Sequence, residues 1–315
     1  MRINFVMSNT VSSGIFNAII SYFKVYLPAE HELFVSQYPI NNCDIYHYHR
    51  PNLEENLLEN SVVTVHHDLE DTDPWFDSSI FVEKYHQANH IVCLNSMQKE
   101  FLKTREKLEN TTIIPHGVNE KVFTKKTRVS NNKKFTIGII SKYYTRRVKG
   151  EALLSELSKR LNNEIIKFIL VGEGRHQQKV ELESLGFECD VYEVLPYSMF
   201  NQLYHSLDIL LIPSLFEGGP ANVPEALYTN TPIIGRKIAM IKDMVIPGEN
   251  GFFLSGNPDI DAKLLNELSL NKNNKFSILQ NKIIKSNINI LTWREVVEKH
   301  LAVYKRIILE NSNEN

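Results

Sequence analysis

Short apolar runs rich in β-branched residues recur along the chain at Ile3 to Met7, Ile45 to Tyr48, Val62 to Val65, Ile91 to Leu94, Phe135 to Ile140, Ile165 to Val171, Asp208 to Pro213 and Pro232 to Gly235. Between them lie longer stretches in which apolar residues follow helical spacing. Runs too short for a helix, alternating with helices, predict parallel sheets covered on both faces. The periodicity lapses between Val118 and Lys134, where Asn119, Glu120 and Lys121 and then the basic stretch Lys125 to Lys134 read as a linker. The pattern therefore predicts an α/β chain of two doubly wound domains of similar size, hinged near residue 125.

Composition supports two cores. With 315 residues, 43% of them apolar, each half can close a core of its own, and disorder on the scale of a domain is excluded. The formal charge is −2, which argues against a nucleic-acid partner. The charge is unevenly spread: ten basic and 16 acidic residues through position 125 leave −6 there, and 25 basic and 21 acidic residues after it leave +4. Eight of the 11 histidines fall in the front part, so the two halves are expected to do different jobs. Cys43, Cys93 and Cys189 lie far apart with no C-x-x-C spacing, which predicts free thiols in a reducing compartment rather than a disulfide framework or a zinc site. No apolar run approaches the ~18 residues that span a bilayer, and the expectation is a cytoplasmic protein without a signal peptide.

In an open parallel sheet, ligands gather at the carboxyl ends of the strands, where loops face the crevice and helix N-termini point at it. The run Asp208 to Pro213 leads into Ser214-Leu215-Phe216-Glu217-Gly218-Gly219-Pro220, and Asn222-Val223-Pro224-Glu225 then opens a helix. Gly218 and Gly219 would let backbone N–H groups approach a ligand, and the helix start would favour a polar ligand with some negative charge. A second reading stays open: Asn222 followed three residues later by Glu225 also fits a capping box, in which Glu225 only satisfies the backbone at Asn222.

Glu217 and Glu225, with seven residues between them, followed by Ala226-Leu227 and Thr231-Pro232-Ile233-Ile234-Gly235, resemble the signature of retaining glycosyltransferases of family 4. The resemblance extends over nearly the whole chain. Pro115-His116-Gly117-Val118-Asn119 is similar to the turn that closes that family's first domain, Ser141 to Gly150 to its basic diphosphate loop, and Val171-Gly172-Glu173-Gly174 to its glycine turn near the nucleoside. Met240 to Phe253 is similar to the Gly-rich return to the sheet, and Trp293 through Tyr304 to a last helix that crosses back onto the first domain.

The resemblance implies a GT-B fold, two Rossmann-like doubly wound parallel-sheet domains facing a central cleft: residues 1–125 for the acceptor, 126–291 for the nucleotide-sugar and 292–315 as the returning helix. It implies that Glu225 holds ribose hydroxyls, that Glu217 with Gly218, Gly219 and Pro220 holds the transferred sugar, and that Lys149 and Lys142 hold the diphosphate. Gly172 and Leu195 would border the nucleoside. Where the family has Gly-Arg, this chain has Ser141-Lys142, and Arg146 or Arg147 is then expected to supply the fork-shaped contact that a lysine cannot make. In the front half, Ser12-Ser13-Gly14 precedes an apolar helix, and Gly14 would place amides near phosphate.

His47 and His49, and His66, His67 and Asp68, stand at the carboxyl ends of two predicted strands. Imidazoles beside an aspartate are suitable metal ligands, but the resemblance implies no metal and no cofactor. It implies instead that either His66 or His67, with Asp68 alongside, faces sugar and acceptor. His47 is expected to hydrogen-bond within the strand ends. The implied reaction is retaining transfer from a UDP- or GDP-sugar to a hydroxyl of a glycan or lipid-linked glycan, in bacterial surface polysaccharide synthesis. Without a carboxylate nucleophile beneath the sugar, Lys149 and the basic loop become the main catalytic device. Competing readings are a GT-B epimerase or hydrolase and an inactive nucleotide-sugar-binding subunit. The acidic front half predicts at most peripheral attachment at the inner face of a membrane.

Overall fold

Two six-stranded parallel sheets organise the chain in a computed structural model that describes residues 1–7, 14–127, 133–270, 275–285 and 290–313. The first unit comprises Met1–Gly117, Glu217–Ala221 and Leu291–Asn315. Its elements run β1 (Arg2–Val6), α1 (Gly14–Tyr26), β2 (Glu32–Ser36), β3 (Ile45–Tyr48), β4 (Ser61–Thr64), α2 (Ser78–Gln87), β5 (His90–Cys93), α3 (Ser96–Arg105) and β6 (Thr111–Ile113). The sheet order is β2-β1-β3-β4-β5-β6.

The second unit, Val118–Phe216 and Asn222–Ile290, contains β7 (Phe135–Ile140), α4 (Glu151–Ser158), β8 (Ile166–Val171), α5 (His176–Ser184), β9 (Glu188–Tyr192), α6 (Phe200–Ser206), β10 (Ile209–Ile212), α7 (Asn222–Tyr228), β11 (Ile233–Arg236), α8 (Ala239–Met244), β12 (Gly251–Leu254), α9 (Pro258–Leu270) and α10 (Lys275–Lys285). Its sheet order is β12-β11-β10-β7-β8-β9. The last helix, α11 (Trp293–Asn313), groups with the first unit.

Both orders reverse direction beside their first strand, between β1 and β3 in one sheet and between β7 and β10 in the other, and such reversals open the crevices where α/β proteins bind ligands. The central strands β3, β4, β5 and β10 are buried along their whole length, which is why their sequences read as continuous apolar runs. Helix α1 covers the first sheet with Phe16, Ile19 and Phe23, spaced one face apart.

The chain leaves the first unit eight residues earlier than its polarity suggests. Val118 and Phe123 are buried in the core of the second unit, and Lys126 donates its N–H to the Thr229 carbonyl and its ammonium to the Leu207 carbonyl. The boundary therefore lies at Gly117, and part of the predicted linker, residues 128–132, lies outside the described residues. Gly117 is required there, because a Cβ would lie 2.7 Å from the Trp293 nitrogen, where α11 begins. That helix starts with a capping box: Glu295 accepts from the Thr292 N–H at 2.7 Å, and Thr292 Oγ1 accepts from the Glu295 N–H at 3.3 Å. The three cysteines are free and buried. Among the described residues, no helix is long and apolar enough to cross a membrane.

A row of rings runs through the first unit. From α11, His300 lies 5.6 Å from His47, which stacks on His49 at 4.3 Å; His49 lies 5.1 Å from His66, and His66 lies 6.4 Å from His116. His47 bonds the Tyr304 hydroxyl at 2.6 Å and the Thr64 hydroxyl at 2.7 Å, so its expected hydrogen bonding at the strand ends is found, with α11 as one partner. His49 Nδ1 and His66 Nε2 are 2.9 Å apart. Burial opposes protonation here. It pulls His49 down to about 3 and His116 and His300 to about 4, and holds His47 and His66 well below the usual imidazole range.

These histidines make the fold sensitive to acid. In the unfolded chain they bind protons below about pH 6.5, whereas the folded protein resists protonation until near pH 4. Stability is thus complete above the unfolded value and falls with pH below it, by up to about 1.4 kcal/mol per histidine for each pH unit. The urea midpoint of the first unit is expected to drop sharply between pH 7 and pH 5.5; equal midpoints would show that the histidines are not held neutral.

Candidate active site

In the second unit, the loop after β7 is fixed to the ends of two neighbouring strands. On the β8 side, Gly172 has φ of +136°, and a Cβ there would lie 2.3 Å from the Ser141 carbonyl, so only glycine allows this approach. The Ser141 N–H donates to the Val171 carbonyl and the Tyr143 N–H to the Glu173 carbonyl. Arg175, 1% exposed, donates from Nε to the Ser141 carbonyl at 2.7 Å and from Nη2 to the Ser141 hydroxyl at 2.6 Å and the Lys142 carbonyl at 3.3 Å. Glu151 lies 3.7 Å away. The sequence offered a signal for this clamp, an arginine directly after Gly-Glu-Gly, that motif reading passed over.

On the β10 side, the Leu215 N–H donates to the Val148 carbonyl, and Gly150, at φ +81°, brings its backbone so close to Pro213 that a Cβ would sit 2.3 Å from the Pro213 oxygen. Lys149 is thereby held at the carboxyl end of β10, half-buried, with its ammonium 5.8 Å from the centre of the Tyr144 ring. Lys142 is exposed and pairs with Glu173 at 2.6 Å, a bond that also raises its pKa. Arg146 and Arg147 are exposed on the same loop, with Arg147 in the left-handed region at φ +55°.

Glu225, on the first turns of α7, is 7% exposed. Its Oε1 accepts from the Tyr197 hydroxyl at 2.9 Å and its Oε2 from the Tyr204 hydroxyl at 2.8 Å. Asn222 donates instead to the Ile140 carbonyl, so the carboxylate is engaged by tyrosines rather than by a capping box. Burial pushes the Glu225 carboxyl up to about 7, although both phenols favour its charged form. Leu195 is half-buried against the same core, shortly before Tyr197. Neither tyrosine stands out in sequence, since each reads as an ordinary aromatic beside a helix.

In the first unit, the segment Glu217–Ala221 is held on the carboxyl ends of β4 and β5. The Gly218 carbonyl accepts from Asn95 Nδ2 at 2.7 Å and Gln98 Nε2 at 3.3 Å, and Gln98 also donates to the His67 carbonyl at 2.8 Å. Asn95 and Gln98, 1% and 3% exposed, were not legible as site residues; Asn95 also caps α3. The Glu217 N–H approaches Asp68 Oδ2 at 3.4 Å. A Cβ on Gly218 would lie 2.2 Å from the His66 carbonyl oxygen, and one on Gly219 would lie 2.4 Å from Leu94 and 3.2 Å from His116 Nε2. These glycines permit backbone packing onto the strand ends. Pro220 follows them, partly buried.

The two adjacent histidines pack in different surroundings. His66 belongs to the row of rings, whereas His67 stacks beside Phe76 at 5.6 Å and Phe81 at 4.1 Å, where burial pulls it down to about 4. Gly14 opens α1 and is exposed; Ser12 and Ser13 lie outside the described residues. Among the described residues, no three His, Cys, Asp or Glu side chains are grouped to hold a metal ion.

A model of the glycosyl transferases group 1 family matches residues 122–288, more than half of the chain. No curated protein sequence matches significantly. Among solved structures, sucrose-phosphate synthase from Thermosynechococcus elongatus is similar with a TM-score of 0.78 at 11% identity, over 98% of this chain and 100% of that one. A glycosyltransferase from Rickettsia africae gives 0.74 at 17% identity over 98% of both chains. Anabaena HepE, solved with UDP and glucose, gives 0.71 at 15% identity over 97% and 100%. At these identities the likeness establishes the two-domain Rossmann-like GT-B fold, and the family match adds the activity class: the chain belongs to the group 1 glycosyl transferases.

Proposed function

We propose that this glycosyltransferase is a retaining, metal-independent enzyme of family 4 that moves a sugar from a UDP- or GDP-sugar to a hydroxyl of a glycan or lipid-linked glycan in bacterial surface polysaccharide synthesis. The observation that carries the reading is Glu225, a buried carboxylate held by two phenols in the same unit as a basic loop fixed at the sheet's reversal point. A carboxylate accepts two vicinal hydroxyls well, and ribose offers them. The binding of UDP and glucose by HepE supports a UDP donor. On the first unit, Glu217 and the strand-end His66 are the groups proposed to meet sugar and acceptor. His67, packed on Phe76 and Phe81, is proposed for a supporting role, with Asp68 alongside.

In the proposed reaction, the bond from the anomeric carbon to the diphosphate oxygen breaks while the acceptor oxygen bonds that carbon on the same face. The acceptor's hydroxyl proton passes to the departing diphosphate. Negative charge grows on the leaving group, so a fixed ammonium beside it lowers the barrier. Lys149 is the residue proposed for this role, with Lys142, Arg146 and Arg147 on the same loop.

Lys149→Ala is expected to lower kcat by roughly 10²-fold or more with the true donor, as loss of a transition-state charge stabiliser does; unchanged turnover would refute the assignment. Glu225→Gln is expected to weaken UDP or GDP binding about tenfold, a loss near 1.4 kcal/mol, while thermal unfolding stays close to wild type. Turnover should survive excess EDTA. Loss of activity on chelation, restored by a divalent cation, would overturn metal independence, and release of free sugar from donor alone would point to a hydrolase.

A further inference from the structure

The two phenols on Glu225 differ in how they are held. Tyr204 lies on α6, fully buried, with its ring 5.8 Å from Phe123 and its hydroxyl on Oε2. Tyr197 is 41% exposed on a single turn of 3₁₀ helix, Tyr197–Met199, and its hydroxyl bonds Oε1. The segment before and around it is open to solvent, with Val194 88% and Met199 48% exposed. Glu225 itself is 7% exposed, and of its two phenols only Tyr197 has a solvent-facing side. A ligand that reaches this carboxylate from solvent therefore meets Tyr197 first.

We propose that the Tyr197 hydroxyl holds the place of a ribose hydroxyl on Glu225 and is displaced when a nucleoside diphosphate binds, while Tyr204 stays as the fixed positioning residue. This rests on Glu225 being the ribose ligand. The exchange is chemically even: one O–H···O⁻ bond from a phenol is replaced by one from a sugar. Tyr197 is the phenol placed to swing away, because it is 41% exposed on a single 3₁₀ turn, its ring edge-on to Phe123 at 5.5 Å and 86° and tilted on Phe200. Tyr204 cannot, because it is enclosed by the core and its backbone carbonyl accepts from the Thr231 hydroxyl.

The ionisable groups that act on Glu225 are these two tyrosines. The elements packed on α7 also carry Lys242 and Asp243 on α8 and Arg236 on β11. Both phenol bonds favour the carboxylate, so removing either raises the Glu225 pKa and moves the acid limb of nucleotide binding to higher pH.

The test is calorimetric titration of UDP and GDP into the full-length wild type, Tyr197→Phe, Tyr204→Phe and Glu225→Gln between pH 6 and 8.5, with donor KM and kcat measured alongside. At pH 8.5 Tyr197→Phe is expected to bind three- to tenfold tighter, because no phenol has to leave, with a donor KM lowered in parallel. Tyr204→Phe is expected to bind more weakly, and the acid limb should move up in both. Equal or weaker binding by Tyr197→Phe at pH 8.5, with Glu225→Gln impaired, would overturn the displacement and leave the ribose assignment standing. Wild-type affinity in Glu225→Gln would instead remove the ribose assignment itself.

Discussion

Helix α7 cannot turn Glu225 toward water without withdrawing Val223, Ala226 and Leu227 from the core, and this constraint shapes the second unit. A carboxylate forced out of solvent needs hydrogen bonds, or it protonates. Tyr197 and Tyr204 supply one bond to each oxygen, yet burial still holds the group near neutrality, at about 7. A carboxyl poised between its two forms at neutral pH and served by hydroxyl donors is an unusual component for a structural core. Such perturbed groups collect at functional sites. Around the two phenols, Phe123 packs edge-on against both rings and Phe200 lies tilted against Tyr204.

Backbone contacts fix the loops within each unit. Gly150, Gly172 and Gly218 each bring main chain to main chain at distances that a Cβ forbids, and the side-chain amides of Asn95 and Gln98 and the guanidinium of Arg175 hold the carbonyls that result. The consequence is loops whose backbone position is set in advance. A cation proposed for catalysis is useful only when its loop is placed before substrate arrives, and Lys149 sits one residue before the glycine that fixes its loop to β10.

The central strands were legible in sequence, whereas those that escaped it, β2, β6, β9 and β12, occupy the four sheet edges. Edge strands face solvent on one side and carry polar residues, as in Glu32-Leu33-Phe34-Val35-Ser36 and Glu188-Cys189-Asp190-Val191-Tyr192, so they lack the continuous apolar run that marks a buried strand. The stretch around the predicted hinge is hard to read for a related reason: Val118 and Phe123 are two isolated apolar residues in a polar stretch, and only tertiary contact shows which core they enter. At Asn222 and at Thr292 the same spacing, a capping residue with glutamate three positions on, has opposite outcomes. Thr292 and Glu295 cap each other, while the tyrosines claim Glu225, and nothing local in the sequence separates the two.

Charge was legible as a sum but not as a field. The back half carries +4, yet Glu173 lies 2.6 Å from Lys142 and Glu151 lies 3.7 Å from Arg175, so part of that excess is answered within the protein. A diphosphate would have to compete with Glu173 for Lys142, an exposed pair of the kind that contributes little to stability and separates readily. Lys149 has its ammonium 5.8 Å from the centre of the Tyr144 ring, a contact weak beside that of a phosphate. Of the two lysines, Lys149 is the one whose loop a glycine ties to the end of β10, so its place is set before any anion arrives, whatever the net charge of the half that carries it.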